Sequence, residues 1–146
     1  MNYQGRSWLP ILSQINPDGW NEFFASHPFH DILMYYPMRV FRDRNFKLIW
    51  NIAHQLPYPF ASDLLISATW QAQLDKGYDA PFGQKTVYEY INRPEFELYA
   101  IDKDPSESKN LAYNPEYSAV LKKYQTKLKE YQKKSNDPWI LKWDIE

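Results

Sequence analysis

Two groups of side chains have types and spacings that could do chemistry. His27-Pro28-Phe29-His30-Asp31 sets two of the three histidines three residues apart, beside a carboxylate. Imidazole and carboxylate together can ligate a metal, move a proton or hydrogen-bond a polar ligand. A zinc site would need a third ligand at fixed spacing, which this segment does not offer. The pair could line a polar cleft, but residue types alone favour loop histidines satisfied by backbone. The second group is Arg39, Arg42, Arg44 and Lys47. Guanidinium forks match sulfate, phosphate and carboxylate geometry. Strand alternation turns Arg39 away from the face of Met38, Val40 and Arg42, so these cations cannot all hold one anion. One functional arginine with solvated neighbours is the better reading.

Other patterns reduce to structure. Asp102-Lys103-Asp104-Pro105-Ser106 begins like a calcium loop, but Glu107 takes the glycine position and Tyr113 the closing glutamate position. The same residues fit a capped turn better: a cap at Asp104, proline next, and Glu107 three residues on. The lysines of 117–134 read as the solvated face of a helix. Four scattered glycines leave no phosphate-cradling loop, and no Gly-X-Ser-X-Gly elbow is present. There is no cysteine, hence no thiolate or disulfide chemistry. A net charge of -1 gives no general attraction to nucleic acid or an anionic bilayer, and no apolar run is long enough to span one.

The elements that must position these groups form a small α+β unit. Residues 1–24 read as an irregular lead-in with one helical turn near Leu9–Ile15. Met38 to Ile52 alternates as a hairpin: Phe46, Leu48, Trp50 and Ile52 share a face, and Asp43-Arg44-Asn45 makes the turn. A helix capped by Ser62 or Asp63 is expected to run to about Lys76 and stop at Gly77. Residues 77–83 read as loop and 85–93 as ambiguous, with a short helix allowed. Phe96–Ile101 reads as a third strand. Asn114-Pro115-Glu116 opens the best helix, with Tyr117, Val120, Leu121, Tyr124, Leu128 and Tyr131 on one face. Aromatics make up 18% of the chain, and Trp139 and Trp143, so near its end, are expected to pack against something.

One stretch carries a resemblance. Glu97-Leu98-Tyr99-Ala100, then Asp104-Pro105-Ser106-Glu107 and Asn110-Leu111, resembles the sulfatase C-terminal signature Glu-Leu-Tyr-Asp, Asp-Pro-X-Glu, Asn-Leu. Ala100 replaces the usual Asp, which could loosen a local turn or a side-chain hydrogen bond. Gly5-Arg6-Ser7-Trp8-Leu9-Pro10 is similar to the segment leaving a sulfatase catalytic domain. Ser26-His27 through His30-Asp31, with Met34-Tyr35-Tyr36-Pro37-Met38-Arg39, is similar to N-sulfoglucosamine sulfohydrolases, with Asp31 where Glu is usual. Asn136-Asp137-Pro138-Trp139 resembles the same subfamily. The resemblance covers nearly the whole chain, in order.

It implies a sulfatase C-terminal subdomain: about four antiparallel strands packed against a long C-terminal helix. Residues 1–36 would lead in from a missing catalytic domain and 37–146 would form the subdomain. The family's calcium ion and its formylglycine nucleophile, made within a Cys/Ser-X-Pro-X-Arg motif, are expected in that other domain. This chain lacks the motif and is expected to be inactive alone. The expected partners are that domain and a sulfated glycan, with His27, His30, Asp31 and Arg39 as candidate substrate contacts. The location implied by the family is periplasmic, extracellular or lysosomal. The alternative, from a different class, is a free-standing module that binds sulfated or acidic glycans.

Overall fold

Alternation along the chain is realised as a four-stranded antiparallel sheet in the computed structural model, which describes residues 5–29 and 34–145. In chain order the elements are a 3-10 turn at Leu9–Ile11, then strands β1 (Phe23–Phe29), β2 (Tyr35–Arg42) and β3 (Phe46–Asn51). Helices α1 (Ser62–Leu65) and α2 (Ala68–Leu74) follow, then the two-residue strands β4 (Pro81–Phe82) and β5 (Lys85–Thr86) and helix α3 (Val87–Ile91). Strand β6 (Phe96–Ala100), a 3-10 turn at Pro115–Tyr117, helix α4 (Ser118–Ser135) and a 3-10 turn at Pro138–Asp144 complete the chain. The sheet order is β1-β2-β3-β6, so the five-element excursion between β3 and β6 returns the chain to the neighbouring position. Among the described residues no helix is long and apolar enough to cross a membrane.

The period of two divides the sheet into two unlike faces. Phe41, Leu48, Trp50, Phe96 and Leu98 point to one side and form the main core with Tyr124 and Leu128 of α4. The β2–β3 turn is tied down by Asp43, whose carboxylate accepts from the backbone N–H groups of Asn45 and Phe46 at 2.8 and 2.9 Å. The same carboxylate accepts from the Tyr124 hydroxyl, joining the hairpin to α4. The other face carries Met38, Asn51, Glu97 and Tyr99. Beside it the excursion builds a small second core of Trp70, Ala80 and Val87, flanked by Phe60, Phe82 and Tyr90. Strand β6 is buried along its whole length.

Several local outcomes differ from the reading of the sequence. The sheet begins at Phe23, and the boundary expected at 36/37 falls inside β2. The single helix expected over 62–76 is two, because Ser67 adopts an extended backbone and accepts from the Trp70 N–H, starting a new helix. The Asp104 segment is a turn without a helix. Its carboxylate accepts from the Ser108 and Lys109 N–H groups at 2.9 and 2.8 Å. Glu107, at φ 52°, sends its own carboxylate to Lys47 instead of back to the cap. The turn after Ala100 is closed by that residue's carbonyl, which accepts from Lys103 and Asp104 N–H at 3.0 and 2.8 Å.

The last residues pack inward. Asn136 takes the left-handed conformation that ends α4, at φ 52° and ψ 41°. Asp137 then caps the final 3-10 turn by accepting from the Trp139 N–H. That turn lays Trp143 on Trp50, ring centroids 4.1 Å apart, and on Phe96 at 5.7 Å. The indole N–H of Trp143 donates to the buried Gln132 at 2.7 Å. Trp143→Ala should cost about 2–3 kcal/mol, somewhat less than a fully buried tryptophan. A lowered urea midpoint with unchanged slope is the expected reading.

Candidate functional site

His27 lies on β1 opposite Met38, on the face turned away from α4. Its ring borders a cavity of about 190 Å³ whose other walls include Met34, Tyr58, Phe60, Leu64 and Tyr90. The Nδ1 atom is buried and has no hydrogen-bond partner among the described residues. A buried ring nitrogen without a partner is uncommon in folded proteins and marks a position to be explained. His30 and Asp31 lie outside the described residues.

Arg39 emerges on the opposite face. Its Nε and Nη2 donate to the two oxygens of Asp137 at 2.5 and 2.9 Å, and its Nη1 donates to the Met38 carbonyl at 2.9 Å. Both side chains are 9% exposed, so the ion pair is largely desolvated. Burial alone would raise the Asp137 pKa, but the hydrogen bonds from Arg39 and from the Trp139 N–H outweigh it and hold the carboxyl below its ordinary value. All three guanidinium nitrogens are therefore engaged within the chain. The structure does not bring His27 and Arg39 together; one faces the excursion, the other the C-terminal turn.

A group that the sequence reading did not single out lies on the His27 face. Glu97 is 4% exposed and accepts from Asn51 Nδ2 at 2.7 Å and from the Tyr99 hydroxyl. Lys85 Nζ donates to the Tyr99 oxygen at 2.9 Å and lies 3.4 Å from the Glu97 carboxylate. Burial opposes ionisation of Glu97, yet these donors and the charges of Lys85 and Arg93 keep its pKa below the usual carboxylate value. Burial pushes the Tyr36 hydroxyl up to about 12 on the same side of the sheet, with the Arg93 charge working against the shift. The signal available in the sequence was parity: in Glu97-Leu98-Tyr99 the polar pair shares one face and Leu98 takes the core.

A cavity of about 530 Å³ opens beside this network, lined by Lys47, Phe82, Lys85, Tyr90, Arg93 and Glu107 among others. Among the described residues no three His, Asp or Glu side chains converge as a metal-ligand set. What the described geometry can supply is binding: donors, aromatic walls and fixed charges.

No family model matches the chain. The fold is similar to that of a protein solved in complex with its substrate D-glucosamine-2-N,6-O-disulfate, with a TM-score of 0.55 and 22% identity. That match covers 92% of this chain and 21% of the other. The sequence is similar to sulfatases and matches their C-terminal region. It is 35% identical over 138 residues to N-sulphoglucosamine sulphohydrolase of Homo sapiens, covering 93% of this chain and 27% of that protein. It is 27% identical over 135 residues to an ulvan-active sulfatase of Formosa agariphila, covering 91% of this chain and 25% of that one. The chain thus spans about a quarter of the length of the curated relatives it matches.

The buried pair sets a pH dependence. A carboxyl with a depressed folded-state pKa contributes stability that is complete above its unfolded value, about 3.9 for Asp, and is lost as pH falls through the folded value. Unfolding free energy should fall as pH is lowered below about 4, and Asp137→Asn should flatten that fall. Arg39→Ala, which strands the carboxylate, should cost about 3–5 kcal/mol at pH 7 in denaturant titrations.

Proposed function

We propose that this chain is the C-terminal part of a glycan sulfatase of the N-sulfoglucosamine sulfohydrolase kind, and that it completes the fold and shapes one wall of the substrate pocket. The observation that carries this reading is the match to N-sulphoglucosamine sulphohydrolase along 93% of this chain at 27% of that protein's length. The calcium ion and the formylglycine nucleophile belong, on this reading, to a catalytic domain outside the present sequence. The junction with that domain falls ahead of β1, since the sheet is incomplete without that strand.

In this arrangement the His27 segment is the substrate-facing edge. The unpartnered Nδ1 and the aromatic cavity beside it suit a sugar hydroxyl or charged substituent. His30 and Asp31 extend the same segment and are proposed as further contacts. Arg39 acts at one remove: through Asp137 it fixes β2, the strand paired with β1, and so the position of His27. These groups would orient the sugar, while bond breaking stays with the other domain.

The size of the native polypeptide tests the reading directly. An antibody raised against residues 114–145 should detect a species about four times longer than this 17.6 kDa chain, in proportion to the human relative. A band at 17.6 kDa alone would overturn it in favour of the free-standing glycan-binding module. In the longer polypeptide, His27→Ala should lower kcat/KM for a sulfated glycan at least about tenfold, chiefly through KM, without lowering the melting temperature.

A further inference from the structure

The 530 Å³ cavity on the far face of the sheet has an unusual charge balance. Three carboxylates line it, and each is already engaged. Glu97 is held by Asn51, Tyr99 and Lys85; Glu107 by Lys47 at 2.7 Å; and Glu89 by the N–H and hydroxyl of Thr86 at 2.7 and 3.1 Å. Two of the three cations, Lys47 and Lys85, are the partners in those pairs. The third, Arg93, has no carboxylate within ion-pair distance among the described residues.

Arg93 is nevertheless held in place. Its guanidinium carbon lies 3.6 Å from the centroid of the Tyr58 ring and 5.5 Å from that of Tyr90. Among the described residues, Nη1 approaches only the thioether sulfur of Met38, at 3.9 Å. Stacking uses the flat faces of a guanidinium and leaves its in-plane N–H donors available. A half-buried fork, stacked on one ring and with donors that lack strong acceptors, matches an oxyanion that can accept two parallel hydrogen bonds.

We propose that this cavity binds a sulfated sugar, with the sulfate on the Arg93 fork and the ring against Tyr90 and Phe82. The volume falls within the range of small-ligand sites, about 300–1,000 Å³, and the concave shape suits a sugar better than the surface of another domain. Tyr90 also borders the His27 cavity, so the two depressions share a wall. The choice of a sulfated sugar rests on the sulfatase reading above; the Arg93 fork itself rests on geometry alone.

The test is a titration of the full chain, labelled with 15N, by a heparin-derived N-sulfated disaccharide at constant ionic strength. Sodium sulfate and the unsulfated N-acetyl disaccharide serve as comparison ligands. The expected result is movement of the Arg93 Nε–H signal together with the Tyr90 and Gln84 amides, at a Kd at least about tenfold below that of sodium sulfate. Arg93→Gln should weaken binding about tenfold or more. Arg93→Lys, which keeps the charge and loses the fork, should recover only part of it. Equal affinity for sodium sulfate would overturn the sugar site and leave a simple anion site. Shifts at His27 with none at Arg93 would overturn it and leave the sulfatase reading standing. No shift at either place would also overturn it, with the parent reading judged separately by polypeptide size. If the Arg93 signal moves only in the longer polypeptide without sugar, Arg93 pairs with a carboxylate of that polypeptide and the proposal fails.

Discussion

The ion pair between Arg39 and Asp137 is the constraint on which the rest of the structure hangs. Removing two charges from water costs several kcal/mol each, and their attraction offsets that only when geometry is good and remaining acceptors are used. Both conditions are met. The contact is bidentate, and Asp137 also accepts from the Trp139 N–H and the Gln132 side chain. One carboxylate therefore fixes strand β2, the end of α4 and the final turn at once. The left-handed Asn136 aims Asp137 at the sheet, and Pro138 and Trp139 begin the turn that carries Trp143 onto Trp50. The Asn-Asp-Pro-Trp segment is thus a corner whose four residues each have a separate structural task.

What the sequence made legible was what local periodicity determines. The β2–β3 hairpin, β6 and α4 follow from alternation and from a 3.6-residue stripe, and the Asp43 turn from Asx chemistry. Strand β1 was hidden because it is an edge strand, mostly exposed, with Ser26, His27 and Pro28 interrupting any apolar alternation. The Asp104 turn met every local requirement of a capped helix; a long-range partner, Lys47, drew Glu107 away. Gln132 continues the stripe of Tyr124 and Leu128 four residues further on, but a polar residue there looks like solvent-facing surface. Its burial makes sense only with Asp137 and Trp143 in place. Arg39 offered no local sign of its partner, because the two are 98 residues apart. The tryptophans near the end were expected to pack against something, and what they pack against is the core of this same sheet.

The two faces of the sheet divide the labour. The α4 face is a conventional aromatic and aliphatic core that closes the fold. The far face keeps a buried glutamate, a lysine, two tyrosines and a stacked arginine around one cavity, with His27 across a shared aromatic wall. The Glu-Leu-Tyr run of the sulfatase signature expresses that division in three residues. Leu98 serves the core, while Glu97 and Tyr99 build the polar side. A strand buried on both faces cannot tolerate an arbitrary side chain on either, which is a physical reason for so short a run to be informative.

The separation of Arg39 from Asp137 also sets an order of events during synthesis. The β2–β3 hairpin is complete in the emerging polypeptide long before the carboxylate that neutralises its arginine has been made. Until then Arg39 must remain hydrated, and Trp50 lacks the Trp143 ring that covers it in the folded chain. Closure of the pair waits on Asp137, 98 residues further along, and long-range closures of this kind are slow. The interval is a window in which a nascent chain would depend on the ribosome surface or a chaperone to keep its strands from pairing elsewhere.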